Sequence, residues 1–262
     1  MSDQENRRIF GEWASPFNHG HNYLLEVTVG GSIDPQTGMI VNIKTIDRVV
    51  REQIVREFDG KSINDEIDYF RSHSSTTENI ALYITRKLSA KGVMPASTVL
   101  EHVRLYEKED LFVDITLQEQ PVTAGQGVQV MTFTRSYEFA AAHRLHVPTL
   151  SEAQNIELFG KCNSPAGHGH NYILEVSVEG TPDPETGMMV DLGKLDQVVE
   201  ELVVDRYDHQ HLNVDVPEFQ DRTPTSEVIA AEIFDRLKDR LPAKLAKIRL
   251  YETARNVFEV TA

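Results

Sequence analysis

Three histidines, one cysteine and an Asp-His pair carry the reactive chemistry in the second half of this chain. His168-Gly169-His170 opens a segment in which Tyr172, Leu174, Val176 and Val178 alternate with Ile173, Glu175, Ser177 and Glu179. That period of two marks a half-buried β-strand. Residues i and i+2 of a strand face the same side with Cα atoms about 6.5–7 Å apart, so two imidazoles can converge on one metal ion. A structural zinc site closes with four protein ligands, whereas a catalytic one takes three and keeps a position open. The best third ligand is His143, which shares one face of a preceding strand with Phe133, Tyr137, Phe139 and Ala141. A His-x-His pair can equally be a hydrogen-bonded surface pair. A second such pair, His209-Gln210-His211, is a rival metal site.

The only cysteine, Cys162, lies six residues before His168, between Lys161 and Asn163 in a Gly/Pro-rich loop. A lone cysteine can be a small buried hydrophobe. Beside a cation or metal its pKa falls, and the thiolate becomes a base or nucleophile. Asp208-His209 reads as a carboxylate orienting an imidazole, the arrangement of a proton relay, or as an ordinary surface pair. Glu252 stands inside an apolar closing strand, where a carboxylate needs a partner unless it faces solvent.

These residues sit on a unit that the chain contains twice. Phe159-Gly160-Lys161-Cys162 through His168-Gly169-His170-Asn171-Tyr172 repeats Phe10-Gly11-Glu12-Trp13 through His19-Gly20-His21-Asn22-Tyr23. The shared register lasts roughly 50 residues with about half of the positions identical, the mark of a duplicated structural unit. After the alternating strand comes turn chemistry, Thr181 to Gly187, and Met188-Met189-Val190 is expected to begin another extended piece. Leu192, Leu195, Val198, Val199, Leu202 and Val203 recur at helical spacing, predicting a helix from about Leu192 to Asp205. A second helix is expected after Thr223-Pro224, taken as N-cap and first-turn proline, with Ile229, Ile233, Leu237 and Leu241 as its apolar stripe. Lys247 to Glu252 and Asn256 to Val260 read as closing strands.

Each unit thus reads ββααββ: an α+β arrangement of an antiparallel four-stranded sheet with two helices on one face. The first copy should carry helices near Lys44–Phe58 and Thr76–Leu88 and strands near Val99–Glu107 and Leu111–Leu117. The domains read as 1–118, a linker over 119–129, and 130–262. Only nine residues precede Phe10, so the first copy is expected to lack the opening strand and any match to His143. It has Trp13 for Cys162 and Gly60 for His209, and keeps His19, His21, Asp59, Glu78 and Glu107. It is expected neither to carry out the chemistry of the second copy nor to bind zinc tightly.

With 262 residues, 40% hydrophobic and 26% charged, the chain has the balance of a soluble two-domain protein. A net charge of −15 argues against a general nucleic-acid binder, while a local pocket can still accept a small anion. No apolar run approaches the roughly 20 residues that span a bilayer. A polar Met1–Arg8 and a single cysteine suggest a reducing, cytoplasmic setting.

Taken together, Ala142-His143-Arg144-Leu145, Phe159-Gly160-Lys161-Cys162, Gly167-His168-Gly169-His170, Thr186-Gly187-Met188, Asp208-His209, Pro224-Thr225-Ser226-Glu227 and Tyr251-Glu252-Thr253 resemble the 6-pyruvoyl tetrahydropterin synthase family. That family includes the 6-carboxytetrahydropterin synthases of queuosine synthesis. The resemblance runs from about Phe133 to Val260 and implies the tunnelling fold. It implies Zn2+ on His143, His168 and His170. It further implies a catalytic triad of Cys162, Asp208 and His209, and a pterin ring anchored by Glu252 with Glu227 and Thr225 nearby. The implied substrate is 7,8-dihydroneopterin triphosphate. The spacing from cysteine to His-Gly-His looks like the pyruvoyl-forming branch of tetrahydrobiopterin biosynthesis. The carboxy-forming branch and a non-catalytic pterin-binding scaffold are the alternatives. Family sites form between neighbouring units, which implies a homo-oligomer, a trimer of two-unit chains being favoured over a dimer.

Overall fold

The computed structural model describes residues 3–10, 14, 19–117 and 129–262. The chain forms two compact units, one of Met1–Phe133 with Glu179–Val190, the other of Thr134–Val178 with Asp191–Ala262. The expected linker falls almost wholly outside the described residues, as does Trp13. Gln129 already opens a strand.

In the first unit α1 (Asp3–Phe10) precedes β1 (Leu24–Gly30). Helix α2 follows in three consecutive stretches, Ile43–Val50, Arg51–Val55 and Arg56–Phe58, the middle one wound as a π turn. Then come α3 (Thr77–Leu88), β2 (Val99–Lys108) and β3 (Leu111–Leu117). β1 pairs antiparallel with β2 and β2 with β3, with Val27 opposite Val103 and Val103 opposite Ile115. Ile46, Val49 and Ile54 of α2 and Ile80, Ile84 and Leu88 of α3 are buried along with Val103, Leu105, Val113 and Ile115 of the strands. Each such side chain taken fully out of water contributes roughly 1.5–3 kcal/mol. Among the described residues no strand precedes β1.

The second unit continues from β4 (Gln129–His143) through α4 (Glu152–Phe159), β5 (His168–Glu179) and the segmented α5 (Leu192–Val199, Glu200–Val204, Asp205–Tyr207). The two-residue β6 (Gln210–His211), α6 (Ser226–Leu237), β7 (Lys244–Thr253) and β8 (Asn256–Thr261) complete it. The strand order is β4-β5-β7-β8, and β6 pairs parallel with β4, Ala141 opposite Gln210. The expected face of β4 is buried at Tyr137, Phe139, Ala141 and His143, and that of β5 at Tyr172, Leu174, Val176 and Val178. The helices cover this face. Phe139 stacks on Tyr172, the Tyr137 hydroxyl donates to Asp196 of α5 at 2.8 Å, and Ile229, Ile233 and Leu237 of α6 are buried.

Local expectations are corrected at four places. α5 runs on to Tyr207, because a π turn at Glu200–Val204 carries the helix past Asp205. The N-cap of α6 is Thr225 and not Thr223: Thr225 is extended, and its carbonyl accepts the first helical bond, from Ile229 N at 2.9 Å. Pro224 therefore lies before the helix, which leaves its carbonyl free for other work. Met188-Met189-Val190 is irregular, with a bend at Met189 and Val190, and no strand. Helix α4 was unforeseen. Its signal is the capping box Ser151-x-x-Gln154, in which Gln154 N donates to Ser151 Oγ at 3.3 Å and Ser151 N to Gln154 Oε1 at 2.9 Å.

The end of the β4–β5 hairpin belongs to the first unit. Thr76 Oγ1, at the N-terminus of α3, donates to Gly187 O at 2.7 Å, and Met189 N donates to Glu78 Oε1 at 2.9 Å. Glu78 is buried at 4% exposure, and burial raises its pKa while the Met189 N–H works the other way. Gly187 has φ +74°, and a Cβ there would lie 2.4 Å from Asn79 Nδ2, so both conformation and closeness require glycine.

Candidate active site

β4 ends and β5 begins at histidines, and the sheet brings those ends together. His143 is fully buried, and its Nδ1–H donates to Pro224 O at 2.8 Å, the carbonyl freed by the late start of α6. That bond sets the tautomer and leaves the Nε2 lone pair facing His168 Nε2 at 3.2 Å. Ring centroids of His143, His168 and His170 lie 4.6 to 5.2 Å apart, and one nitrogen from each falls within 4.8 Å of the others. The three expected ligands are thus within metal-binding distance of one another. His168 Nδ1 and His170 Nε2 are buried with no hydrogen-bond partner among the described residues. Burial lowers His143 to about 4 and lowers His168 as well, which keeps the imidazoles neutral and able to donate lone pairs.

Glu252, on β7, faces this cluster. Its Oε1 lies 3.9 Å from both His143 Nε2 and His170 Nε2 and accepts Ser226 Oγ at 2.7 Å. Burial opposes its charge, but hydrogen bonds from Ser226 and Asn256 and the nearby histidines outweigh burial and hold its pKa below the ordinary glutamate value. Ser226 and Tyr172 were missed as site residues. Tyr172 lies two positions beyond His170 on the same strand face, and among the described residues its buried hydroxyl has no partner of hydrogen-bonding geometry. Burial, then the charge of Glu252, push that phenol up. The strand period that paired His168 with His170 was the available signal.

Gly167 shapes the entry to β5. With φ +69°, a Cβ there would stand 2.7 Å from His211 Nε2 and 2.9 Å from His143 O. His209 and His211, the rival pair, part company. The His211 ring packs against Gly167, with Nδ1 buried and unpartnered, while the His209 side chain is 83% exposed.

The Asp208–His209 pair is assembled. Asp208 Oδ1 accepts Ala140 N at 2.7 Å and Oδ2 accepts His209 Nδ1–H at 2.7 Å, and these bonds hold the carboxyl below the usual aspartate range. His209 adopts φ +58° and its N–H donates to Ala140 O at 2.6 Å. Cys162 ends up elsewhere, half-buried in the helical turn Gly160–Asn163, and its carbonyl accepts Leu145 N at 2.9 Å. The next residue, Asn163, is buried and ties this turn to Arg144, His146 and Glu152. No hydrogen bond joins the thiol to Asp208 or His209 among the described residues of the chain. Thr225 caps α6 without a side-chain cap bond, and Glu227 is exposed. In the first copy His21 Nδ1 lies 3.4 Å from Glu107 Oε1, and Thr77 Oγ1 donates to the same carboxylate.

An α+β unit with three convergent imidazoles beside a hydrogen-bonded carboxylate is the frame of a metal-assisted enzyme. The family model described as 6-pyruvoyl tetrahydropterin synthase matches residues 7–118 and again 132–262. The chain belongs to the 6-pyruvoyl tetrahydropterin synthase family, in tandem duplicate, and synthases of that name are lyases. It is 45% identical over 125 residues to the 6-pyruvoyl tetrahydrobiopterin synthase of Homo sapiens, covering 47% of this chain and 86% of that one. It is 46% identical over 125 residues to the enzyme of Poecilia reticulata, covering 47% and 85%. The 6-carboxy-5,6,7,8-tetrahydropterin synthase of Rickettsia typhi is 25% identical over 114 residues, covering 38% and 83%. The solved Caenorhabditis elegans 6-pyruvoyl tetrahydropterin synthase aligns at TM-score 0.49 and 43% identity, covering 51% and 96%.

Proposed function

We propose that the second unit is a zinc-dependent lyase acting on 7,8-dihydroneopterin triphosphate, releasing triphosphate to form a 6-pyruvoyl tetrahydropterin. The carrying observation is the three-histidine cluster with Glu252 against it. Two tetrahedral ligand nitrogens about 2.0–2.1 Å from zinc stand about 3.3 Å apart, and the 3.2 Å separation of His143 and His168 Nε2 fits this. Three convergent nitrogen donors, with His168 Nδ1 and His170 Nε2 buried and unpartnered among the described residues, fit a catalytic ion that keeps a position open. When bound, the ion supplies Lewis acidity toward the side-chain hydroxyls of the substrate.

The remaining work belongs to side chains. Glu252, preset by Ser226, accepts N–H groups of an amino-pyrimidine edge and orients the ring, with Thr225 and Glu227 at the neighbouring helix start. The Cys162 thiolate takes a proton from the substrate side chain, and His209, held by Asp208, relays it. Because Cys162 has no bond to that pair in its own chain, the relay is completed by Asp208–His209 of a neighbouring copy. The pyruvoyl branch is preferred over the carboxy branch because the relatives of that name are much closer in sequence.

The test is incubation of the zinc-loaded protein with 7,8-dihydroneopterin triphosphate, followed by mass analysis. A pyruvoyl product with free triphosphate is expected. A carboxy product with acetaldehyde would move the chain to the other branch, and binding without turnover would make it a scaffold.

A further inference from the structure

The helical turn that carries Cys162 is short, and one of its residues is buried. Gly160 and Lys161 are exposed and Cys162 is half-buried, whereas Asn163 is 2% exposed. The Asn163 side chain is bonded on both of its polar atoms. Its Nδ2 donates to Glu152 Oε1 at 2.9 Å, which fixes the orientation of the amide. Its Oδ1 then accepts Arg144 Nη2 at 3.2 Å and His146 Nδ1–H at 2.9 Å. The Asn163 carbonyl accepts Arg144 Nε at 3.0 Å, so the guanidinium forks onto a single residue.

These supports are themselves anchored. Arg144 N donates to Asn213 Oδ1 at 2.7 Å, and Asn213 Nδ2 donates to Arg144 O at 3.1 Å. Glu152 opens α4, whose fully buried Asn155 bonds both backbone groups of Val147, at 2.8 and 3.0 Å. Leu145 N donates to Cys162 O, and Arg144 directly follows the ligand candidate His143. The cysteine turn is thus registered to the His143 end of β4 through Asn163. The repeat supplies an independent comparison. Phe10-Gly11 and Ser15-Pro16 match Phe159-Gly160 and Ser164-Pro165, yet between them Trp13 replaces Cys162 and Ala14 replaces Asn163. The thiol and the amide that clamps its turn are lost together, while the residues flanking them are kept.

We propose that Asn163 is a positioning residue for Cys162, locking the turn between Glu152 on one side and Arg144 with His146 on the other so that the thiol keeps one place relative to His143. This rests on the reading of Cys162 as the group that moves the substrate proton, and it requires no contact between Asn163 and substrate. The amide is suited to the task because it donates to a carboxylate and accepts from two cationic or neutral N–H groups at once. Aspartate in its place would set two carboxylates against each other. Alanine, the residue of the first copy, would leave Glu152, Arg144 and His146 without this partner.

Three variants of the full zinc-loaded chain test it, with two readouts. One is turnover of 7,8-dihydroneopterin triphosphate. The other is the rate at which iodoacetamide alkylates Cys162, which as the only cysteine reports its own surroundings whether or not it is catalytic. A misplacement of about 1 Å can cost about 10²-fold in rate. Asn163→Asp should therefore lower kcat at least tenfold with KM, metal content and far-UV circular dichroism unchanged, and should change the alkylation rate at least threefold. Adding Glu152→Gln to Asn163→Asp exchanges donor and acceptor across the same pair at the same net charge, and should return both rates to within about threefold of the parent. Arg144→Lys keeps the charge but loses the fork, and should lower kcat and change alkylation at least threefold. A folded Asn163→Asp with parental kcat and alkylation would overturn the proposal, as would a loss that the added Glu152→Gln does not repair. If Asn163→Asp fails to fold, Arg144→Lys alone decides. Parental turnover by Cys162→Ala would instead remove the catalytic reading of the thiol, a result separate from the alkylation rates of the Asn163 variants.

Discussion

His209 and Gly60 occupy the same place in the two copies and take the same backbone conformation, φ +58° and +67°. A non-glycine residue held there costs about 1–3 kcal/mol unless its surroundings compensate, and such strain gathers at functional positions. The first copy therefore keeps the turn and uses the residue that adopts it freely; the second keeps an imidazole against the local preference. Replacing His209 with glycine should leave the unfolding free energy unchanged or up to about 1 kcal/mol higher, while turnover falls by 10²–10⁴-fold. Urea unfolding together with product formation checks this, and a clear loss of stability would refute the strain argument. The ligands behave differently from the thiol. His143→Ala should abolish metal binding measured by atomic emission, and should destabilise the fold by about 1–3 kcal/mol because Pro224 O loses its buried donor. Cys162→Ala should retain the metal and lose turnover. Much of this was legible in sequence, because residue type and the i, i+2 spacing survive folding. The strain at His209 was not, since φ depends on how Ala140 and Asp208 clamp the turn.

At the level of elements, the strands were easier to read than the helix starts. Alternation along β4 and β5 reports burial directly, so the site face of both followed from the pattern. The start of α6 was misplaced because Thr223-Pro224 and Thr225 both satisfy capping preferences, and only the bond from Ile229 to Thr225 decides between them. That two-residue difference supplies the Pro224 carbonyl to His143. Gly167→Ala should disturb the same junction: strained φ and contact with His143 O should lower metal affinity at least tenfold in a competition titration with a chelator. Long-range ion pairs were not legible at all. Glu218, in a turn after α5, is grasped by Arg206 at 2.6 and 2.5 Å and by Arg236 of α6 at 2.5 Å. Burial would raise its pKa, but Arg206 and Arg236 hold it down at about 2 against 4.5 for the free group. The stabilisation is therefore complete above pH 4.5 and fades as pH falls toward 2. Glu218→Gln should be less stable than the parent at neutral pH, with the gap closing across that acid range in pH-dependent urea melts. A gap independent of pH would show that the carboxylate charge is irrelevant.

For the whole molecule, the repeat boundary and the structural boundary differ. The sequence divides at the linker, yet the first unit includes Glu179–Val190 from the second repeat. Cutting the chain within 118–128 should leave the halves associated on size exclusion. The first half made alone should bind hydrophobic dyes and lose about 1–3 kcal/mol, because buried Glu78 has no Met189 N–H to accept. No pattern in the sequence announces a bond between residues separated by 111 positions. The same separation sets an order of events during synthesis. Ribosomes add about 5–20 residues per second, so on the order of ten seconds pass between the emergence of Glu78 and that of its partner. Throughout that interval the nascent first unit carries an unfinished helix start. Its final locking is timed by translation of the second repeat, so slow codons between the two segments would lengthen the window in which chaperones or neighbouring nascent chains compete for that surface.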